Sequence, residues 1–330
     1  MRQARAHGRA MDAWRAIERD LPAQADPSAE GLTICSVAFR AKACLDLNAR
    51  LLRRLNPEAP HPQWLLFDNN AEPDQNIGLD DPRFTVTRAS SREFEMGYDH
   101  ALGIGALLKQ VRTRFVLIQD PDCFIVMPDW IRRVTQHMET HQLGFFGTPL
   151  NPRRHNSYRY FPYMICMFVD LARVSPRDLC FIPDVWRLPT SVTYAMRRAP
   201  TRIPKIGHAF RWLLTEQYKT NGWRIKEKFG RGDLVGFECV QAVWDVTDTI
   251  PPGSVKALLH TLTPARVAPV PSQPGYCSPV GFAQMGATDV AALGWEEFVW
   301  QDRPFAFHVG SVHSKPGVYE TTLDRIVNQF

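Results

Sequence analysis

Between Leu32 and Gln119, short apolar runs alternate with amphipathic stretches, and no other feature constrains the fold of this chain as tightly. "LTICSVAF" has the composition of a strand buried on both faces, and "AKACLDLNARLLRRL" behind it repeats its apolar residues at helical spacing. Asn56, Pro57 and Pro60 stop that helix. "PQWLLFDNN" and "RFTVTRA" then predict a second and a third strand, and "YDHALGIGALLKQV" predicts a helix leading into "RFVLIQ". The order β-α-β-β-α-β predicts an α/β fold with a mostly parallel central sheet and helices on both faces. Past Trp130, "WIRRVTQHMETH" is expected to be a helix, "LGFFGTPL" a strand, and "YFPYMICMFVDLARV" a strand that turns into a helix.

At 330 residues the chain is long enough to bury a large core, and its 45% hydrophobic and 22% charged content is that of an ordinary globular protein. A Pro/Ala/Asp-rich linker ends near Gly31, so residues 1–30 are expected to form an N-terminal extension and 31–330 a single domain. Seven cysteines with no C-x-x-C pair argue against a disulfide framework and a cysteine zinc site, and favour a reducing compartment, the cytoplasm. The N-terminus lacks the apolar core of a secretory signal. "FPYMICMFVDLA" is short and contains Asp170, so no run reaches the roughly 18 to 20 residues that span a bilayer.

The net charge of +5 is unevenly spread: Arg197 to Arg231 holds ten Lys or Arg against Glu216 and Glu227, a net +8 that leaves −3 for the remainder. Three readings fit this segment: a solvated face, a loop closing over phosphates, or a surface that attracts anionic lipid or polysaccharide. Phe210, Trp212, Leu213 and Leu214 amid the basic residues fit an interfacial helix, and with it peripheral contact with an anionic membrane. No nucleic-acid-binding module accompanies the charge, so nucleic acid is not an expected partner.

The apolar run Phe115 to Ile118 ends in Asp120, Pro121 and Asp122. On an extended backbone the two carboxylates alternate, which lets both face one bound cation or diphosphate. A hard divalent cation, Mn2+ or Mg2+, takes oxygen ligands and bridges protein carboxylates to substrate phosphates. The plain alternative is an Asp-Pro turn with solvated carboxylates. "WLLFDNN" delivers a second polar cluster, Asp68, Asn69 and Asn70, to the same expected sheet edge, where open α/β sheets bind ligands. "FAFHVGSVHS" ends a third apolar run at His308, with His313 beyond it, and histidine serves as metal ligand, phosphate contact or ordinary structural residue.

Taken together, the strand-ending "DNN", the helix "GYDHALGIGALLKQV", "RFVLIQDPDCFI" and the late "FHVGSVHS" resemble GT-A glycosyltransferases of the family 2 type, best from about Leu32 to Ala172. The pattern is similar in order to a bacterial, polysaccharide-linked subgroup. The resemblance implies a GT-A fold and a hexosyltransferase-like activity on a nucleotide-diphosphate sugar, with a nucleotide-sugar half at 31–150 and an acceptor half at 151–330. It implies that Asp68 reads the nucleotide base, that Asp120 and Asp122 hold Mn2+ or Mg2+, and that His308 completes the metal site. Ala38, Phe39, Arg40, Asn69, Asn70 and His100 join Asp68 and Asp120 in the expected nucleotide-sugar set. His100 is placed there by its position early in the helix after Gly97, where an anion is favoured. The acceptor is a glycan, a lipid-linked sugar or another hydroxyl compound.

The chain departs from that family at particular places. Gly103 stands where these helices often carry asparagine, Ile250 replaces the glycine of a D-T-G turn, and no E-D pair supplies the usual base. An inverting transfer needs a carboxylate or histidine to take the acceptor's proton. Asp248 and Asp245 in "WDVTDT" are the first candidates, followed by Glu238, and all three also suit turn capping. Two rivals remain at this stage. A haloacid-dehalogenase-type phosphatase also has a strand-ending D-x-D, but near the domain's start and without Phe124 behind it. A binding protein with a degenerate transferase fold would explain the missing E-D pair.

Overall fold

The computed structural model describes residues 2–23, 30–70, 76–78, 81–88, 96–150, 161–184, 219–243, 277–278 and 295–310. Asp245, Asp248, Ile250, His313 and residues 197–218 of the basic segment lie outside the described residues.

The expected β-α-β-β-α-β order is present as β1 (Leu32–Ala38), α2 (Lys42–Leu55), β2 (Gln63–Asp68), β3 (Thr85–Arg88), α3 (Met96–Leu108) and β4 (Phe115–Gln119), preceded by a helix α1 (Arg2–Asp20). Next come β5 (Cys123–Ile125), α4 (Trp130–Thr140), β6 (Leu143–Gly147), β7 (Cys166–Asp170), α5 (Trp223–Phe229) and β8 (Gly236–Cys239). The remaining described strands are β9 (Gln241–Val243), β10 (Cys277–Ser278), β11 (Glu296–Trp300) and β12 (Arg303–His308).

Seven of the described strands form one sheet in the order β3-β2-β1-β4-β7-β6-β8, and of these only β7 runs against its neighbours. The fold class is α/β, with the mostly parallel, doubly covered sheet that a GT-A fold requires. Successive residues of β1 and β4 point to opposite faces. Leu32, Ile34, Phe115 and Leu117 join the core under α2 and α4, whereas Cys35, Val37, Val116 and Ile118 join the core under α1 and α3. β1 and β4 are buried throughout because helices cover both faces there.

Asn56 explains the abrupt end of α2. Its backbone N–H and side-chain Nδ2 both reach the Leu52 carbonyl, at 3.2 and 3.1 Å, and its Oδ1 accepts from Ile131 N at 3.0 Å. One side chain thus closes α2 and satisfies the first turn of α4.

Within the expected N-terminal extension, Ala10, Trp14 and Leu21 are buried against α3 in one of the two main cores of the described residues. β7 and β8, from the expected acceptor half, complete the sheet that β1 begins in the nucleotide-sugar half. One expectation needs correction: the stretch after β7 turns without becoming a helix. Its Asp170 carboxylate is held by Arg114 at 2.9 and 3.1 Å and accepts from Ala172 N, and Pro176 disfavours helical backbone at Ser175.

A second sheet, β10-β9-β11-β12-β5, packs its apolar residues Phe124, Phe298, Phe305 and Phe307 into the core on the α2 and α4 side. β5 follows directly on the Asp-Pro-Asp segment, so this sheet begins where β4 ends.

Candidate active site

Because β1 to β4 run parallel, Ala38, Asp68, Arg88 and Gln119 all end at one edge of the sheet. Asp120 follows immediately. Its carbonyl accepts from Cys123 N at 3.0 Å and its own N–H donates to the Ile165 carbonyl at 3.0 Å, so Asp120 to Cys123 is a β-turn with Pro121 in its second position. That position suits proline, whose φ is preset for it. The two carboxylates therefore converge by a turn, not by alternation along an extended strand as expected from the sequence.

Two buried amides hold the turn. Asn48, on α2, donates to the Pro121 carbonyl at 2.8 Å. Gln119 donates to the Cys123 carbonyl at 2.8 Å and to Asn48 Oδ1 at 3.3 Å. Sequence reasoning missed both, although an asparagine on the apolar face of α2 is an anomaly visible in "LDLNARLL".

His308 arrives through the second sheet. It pairs with Cys123 across β12 and β5, and Val309 N donates to the Asp122 carbonyl at 3.0 Å. Its Nε2 then lies 3.3 Å from Asp122 Oδ1, while Nδ1 lies 2.8 Å from Glu296 Oε2. On the other side, His100 Nε2 is 3.4 Å from Asp120 Oδ1. The structure brings Asp120, Asp122, His308 and His100 together, and adds Glu296, which sequence reasoning passed over inside "GWEEFVW".

Among the described residues, Asp120, Asp122 and His308 form the one group of three ligand-type side chains whose donor atoms all lie within 4.8 Å of one another. Donors around a cation at roughly 2.1 Å stand about 3 Å apart when adjacent and about 4.2 Å when opposite. The two carboxylates suit Mn2+ or Mg2+, and the imidazole adds a nitrogen donor of the kind transition metals take. Burial pulls the His308 imidazole's pKa down, but the carboxylates of Asp122 and Glu296 outweigh it and hold the value well above the usual range. Cys123 beside it is pushed well above the usual thiol range, chiefly by burial.

Asp68 sits at the predicted strand end but is fully enclosed, its side chain having no exposed surface. Its oxygens accept from Asn70 N at 3.1 Å, Asn70 Nδ2 at 2.6 Å, Ile77 N at 2.9 Å and Arg88 Nε at 3.3 Å. Asn70 Oδ1 in turn accepts from Arg40 N at 2.6 Å, and Asn69 N donates to the Ala38 carbonyl at 2.9 Å. Ala38, Arg40, Asp68, Asn69 and Asn70 thus form one network, with Arg40 in left-handed backbone at φ 51°. Direct contact between Asp68 and a base would require it to release these donors.

Glu238 does not reach the site. Register places it opposite Phe146, which opposes Phe168, which opposes Leu117, so it lies three strands from β4, about 14 Å to the side. There it pairs with His137 at 2.8 Å.

No protein-family model matches the chain, and comparison with curated proteins gives no match. Among solved structures the chain is similar to the mannosyltransferase PcManGT from Pyrobaculum calidifontis in complex with GDP-Man and Mn2+, at 11% identity and TM-score 0.34, over 51% of this chain and 54% of that one. It is similar to S. aureus TarS 1-349 in complex with UDP-GlcNAc, at 12% identity and TM-score 0.34, over 46% of this chain and 48% of that one. A third is the galactosyltransferase LgtC in complex with donor and acceptor sugar analogs, at 12% identity and TM-score 0.34, over 75% of this chain and 87% of that one. The matched part spans about half the length of the first two. Likeness at this level assigns neither a family nor an activity to this chain.

Proposed function

We propose that this protein is a glycosyltransferase that moves a sugar, with inversion, from a nucleotide-diphosphate sugar to a hydroxyl of a glycan or lipid-linked acceptor, using Mn2+ or Mg2+. The observation that carries the reading is the meeting of Asp120, Asp122 and His308 at the C-terminal edge of a mostly parallel sheet.

Asp120 and Asp122 hold the cation through oxygen and His308 through Nε2. When bound, the cation neutralises charge building on the departing nucleotide diphosphate. His100 steadies the Asp120 carboxylate from α3. The nucleoside lies over Ala38 to Arg40 and Asn69 to Asn70, with Asp68 keeping that surface in shape from beneath. β9 runs toward the end of the second sheet where Glu296 and His308 lie, since Ala242 opposes Phe298 and Glu296 opposes His308. Asp245 and Asp248 follow β9 in sequence, which supports either as the base that takes the acceptor's proton.

The described end of the basic segment is packed into the protein. Trp223, Ile225 and Phe229 of α5 are buried, Lys219 pairs with Glu227 at 3.7 Å, and Lys228 pairs with Asp178 at 2.6 Å. Peripheral contact with an anionic membrane is therefore proposed for residues 197–218 alone. No described helix is long and apolar enough to cross a membrane.

The test is a panel of nucleotide sugars assayed for Mn2+-dependent thermal stabilisation and for sugar transfer. Asp122→Ala is expected to abolish the Mn2+-dependent shift while keeping the fold. An unchanged shift in that variant overturns the cation site, and donor binding without transfer to any acceptor points to a binding protein.

A further inference from the structure

The buried carboxylate of Glu296 lies outside the ligand set yet touches it. It is 6% exposed, at the first position of β11, directly opposite His308 across the β11 and β12 ladder. A carboxylate so enclosed is costly unless a partner holds it, and Oε2 finds that partner in His308 Nδ1 at 2.8 Å. The other ring nitrogen faces Asp122 at 3.3 Å. The ring is thus gripped at both ends, by one carboxylate belonging to the cation site and one that does not.

We propose that Glu296 is the positioning residue of the cation site, fixing the His308 ring so that a bare Nε2 faces the cation and biasing the site toward Mn2+ over Mg2+. A neutral imidazole has one N–H and one lone pair, and whichever nitrogen donates determines which is left to ligate. With Nδ1–H donated to Glu296, the proton that the cation displaces is the one on Nε2, beside Asp122, and the lone pair left there is the ligand. The adjacent negative charge also strengthens that nitrogen as a donor. Mg2+ gains little from this, because it favours oxygen and keeps its waters, whereas Mn2+, although also served by oxygen ligands, is a transition metal whose affinity responds to a nitrogen donor in the site. Glu296 therefore acts on metal choice, and not only on affinity.

The inference rests on the proposed cation site, so one experiment addresses both. Mn2+ affinity is measured by electron paramagnetic resonance and Mg2+ affinity by competition, on wild type, Asp122→Ala, Glu296→Gln and Glu296→Leu, with melting temperatures taken without metal. Loss of a group orienting a ligand typically costs about 10- to 100-fold in metal affinity. Glu296→Leu is expected near the upper figure for Mn2+ and Glu296→Gln, which keeps an acceptor oxygen, near the lower. Mg2+ affinity is expected to fall several-fold less in each. A purely electrostatic role would lower both metals by one factor, and a purely structural role would lower the melting temperature without changing the Mn2+ to Mg2+ ratio; either result overturns the assignment. Should Glu296→Leu fail to fold, the ratio in Glu296→Gln decides alone. If wild type binds no Mn2+, or Asp122→Ala binds it equally well, the cation site itself falls, and this inference with it.

Discussion

At the residue scale, His308 couples the site to pH. Its folded-state pKa lies well above the usual 6.5 because Asp122 and Glu296 outweigh the effect of burial. A raised folded-state value means that the ion pairs stabilise the metal-free protein fully below about pH 6.5 and that this contribution disappears as pH climbs through the folded-state value. The melting-temperature gap between metal-free wild type and His308→Asn is expected to narrow as pH rises above about 6.5, and a constant gap would contradict the pairing. Over the same range Mn2+ binding is expected to strengthen, since ligation by Nε2 must displace a proton. Asp68 makes a different prediction. Its removal leaves Ile77 N, Asn70 and the Arg88 guanidinium without their acceptor, so Asp68→Ala is expected to cost about 3 kcal/mol in urea unfolding. A variant of unchanged stability that still loses nucleoside binding would restore Asp68 as a direct base contact.

At the scale of elements, α3 lies unusually close to its neighbours, and two glycines permit it. A Cβ on Gly103 would stand 2.9 Å from the Phe67 ring and 3.0 Å from Val37 Cγ2, while one on Gly105 would stand 2.8 Å from the Trp14 ring. The helix is clasped between sheet and α1. That closeness accounts for glycine at 103, where the family resembled often has asparagine. Gly103→Asn is expected to destabilise by at least the 1–3 kcal/mol typical of overpacking, read as a lower midpoint in chemical unfolding. An unaffected midpoint would mean that α3 can lift away from the sheet. The ladder between β5 and β12 works at the same scale, since its register sets His308 beside Asp122.

At the scale of the whole molecule, the buried side chains of the described residues form two cores separated by the seven-stranded sheet. α1 belongs to one of them through Trp14, which is 2% exposed. Trp14→Ala is expected to cost 3–5 kcal/mol, as large aromatic truncations in cores do, while Mn2+ affinity in the folded protein stays as in wild type. If instead stability were unchanged, residues 2–20 would contribute little to the core and would stand apart from the domain as an N-terminal extension. The Pro/Ala/Asp-rich linker signals a change of local structure, but it says nothing of whether the helix before it finds a place in the core.

Periodicity made the α/β architecture legible, because buried parallel strands must be apolar on both faces and their covering helices on one. The same logic identified Asp68, Asp120 and Asp122, polar residues where apolar runs stop, and His308 at the end of "FAFH". Tertiary structure alone decided how they meet. The Asp120 to Cys123 turn depends on Asn48 and Gln119, whose hydrogen bonds join residues far apart in sequence. The enclosure of Asp68 depends on Arg88 and Ile77, which reach it only once β2 and β3 pair. Glu296 looked like one of two acids in "WEEF" until β11 set it opposite His308. Such roles are fixed by register across strands, and register is a property of the folded sheet, to which local sequence contributes only the alternation of faces.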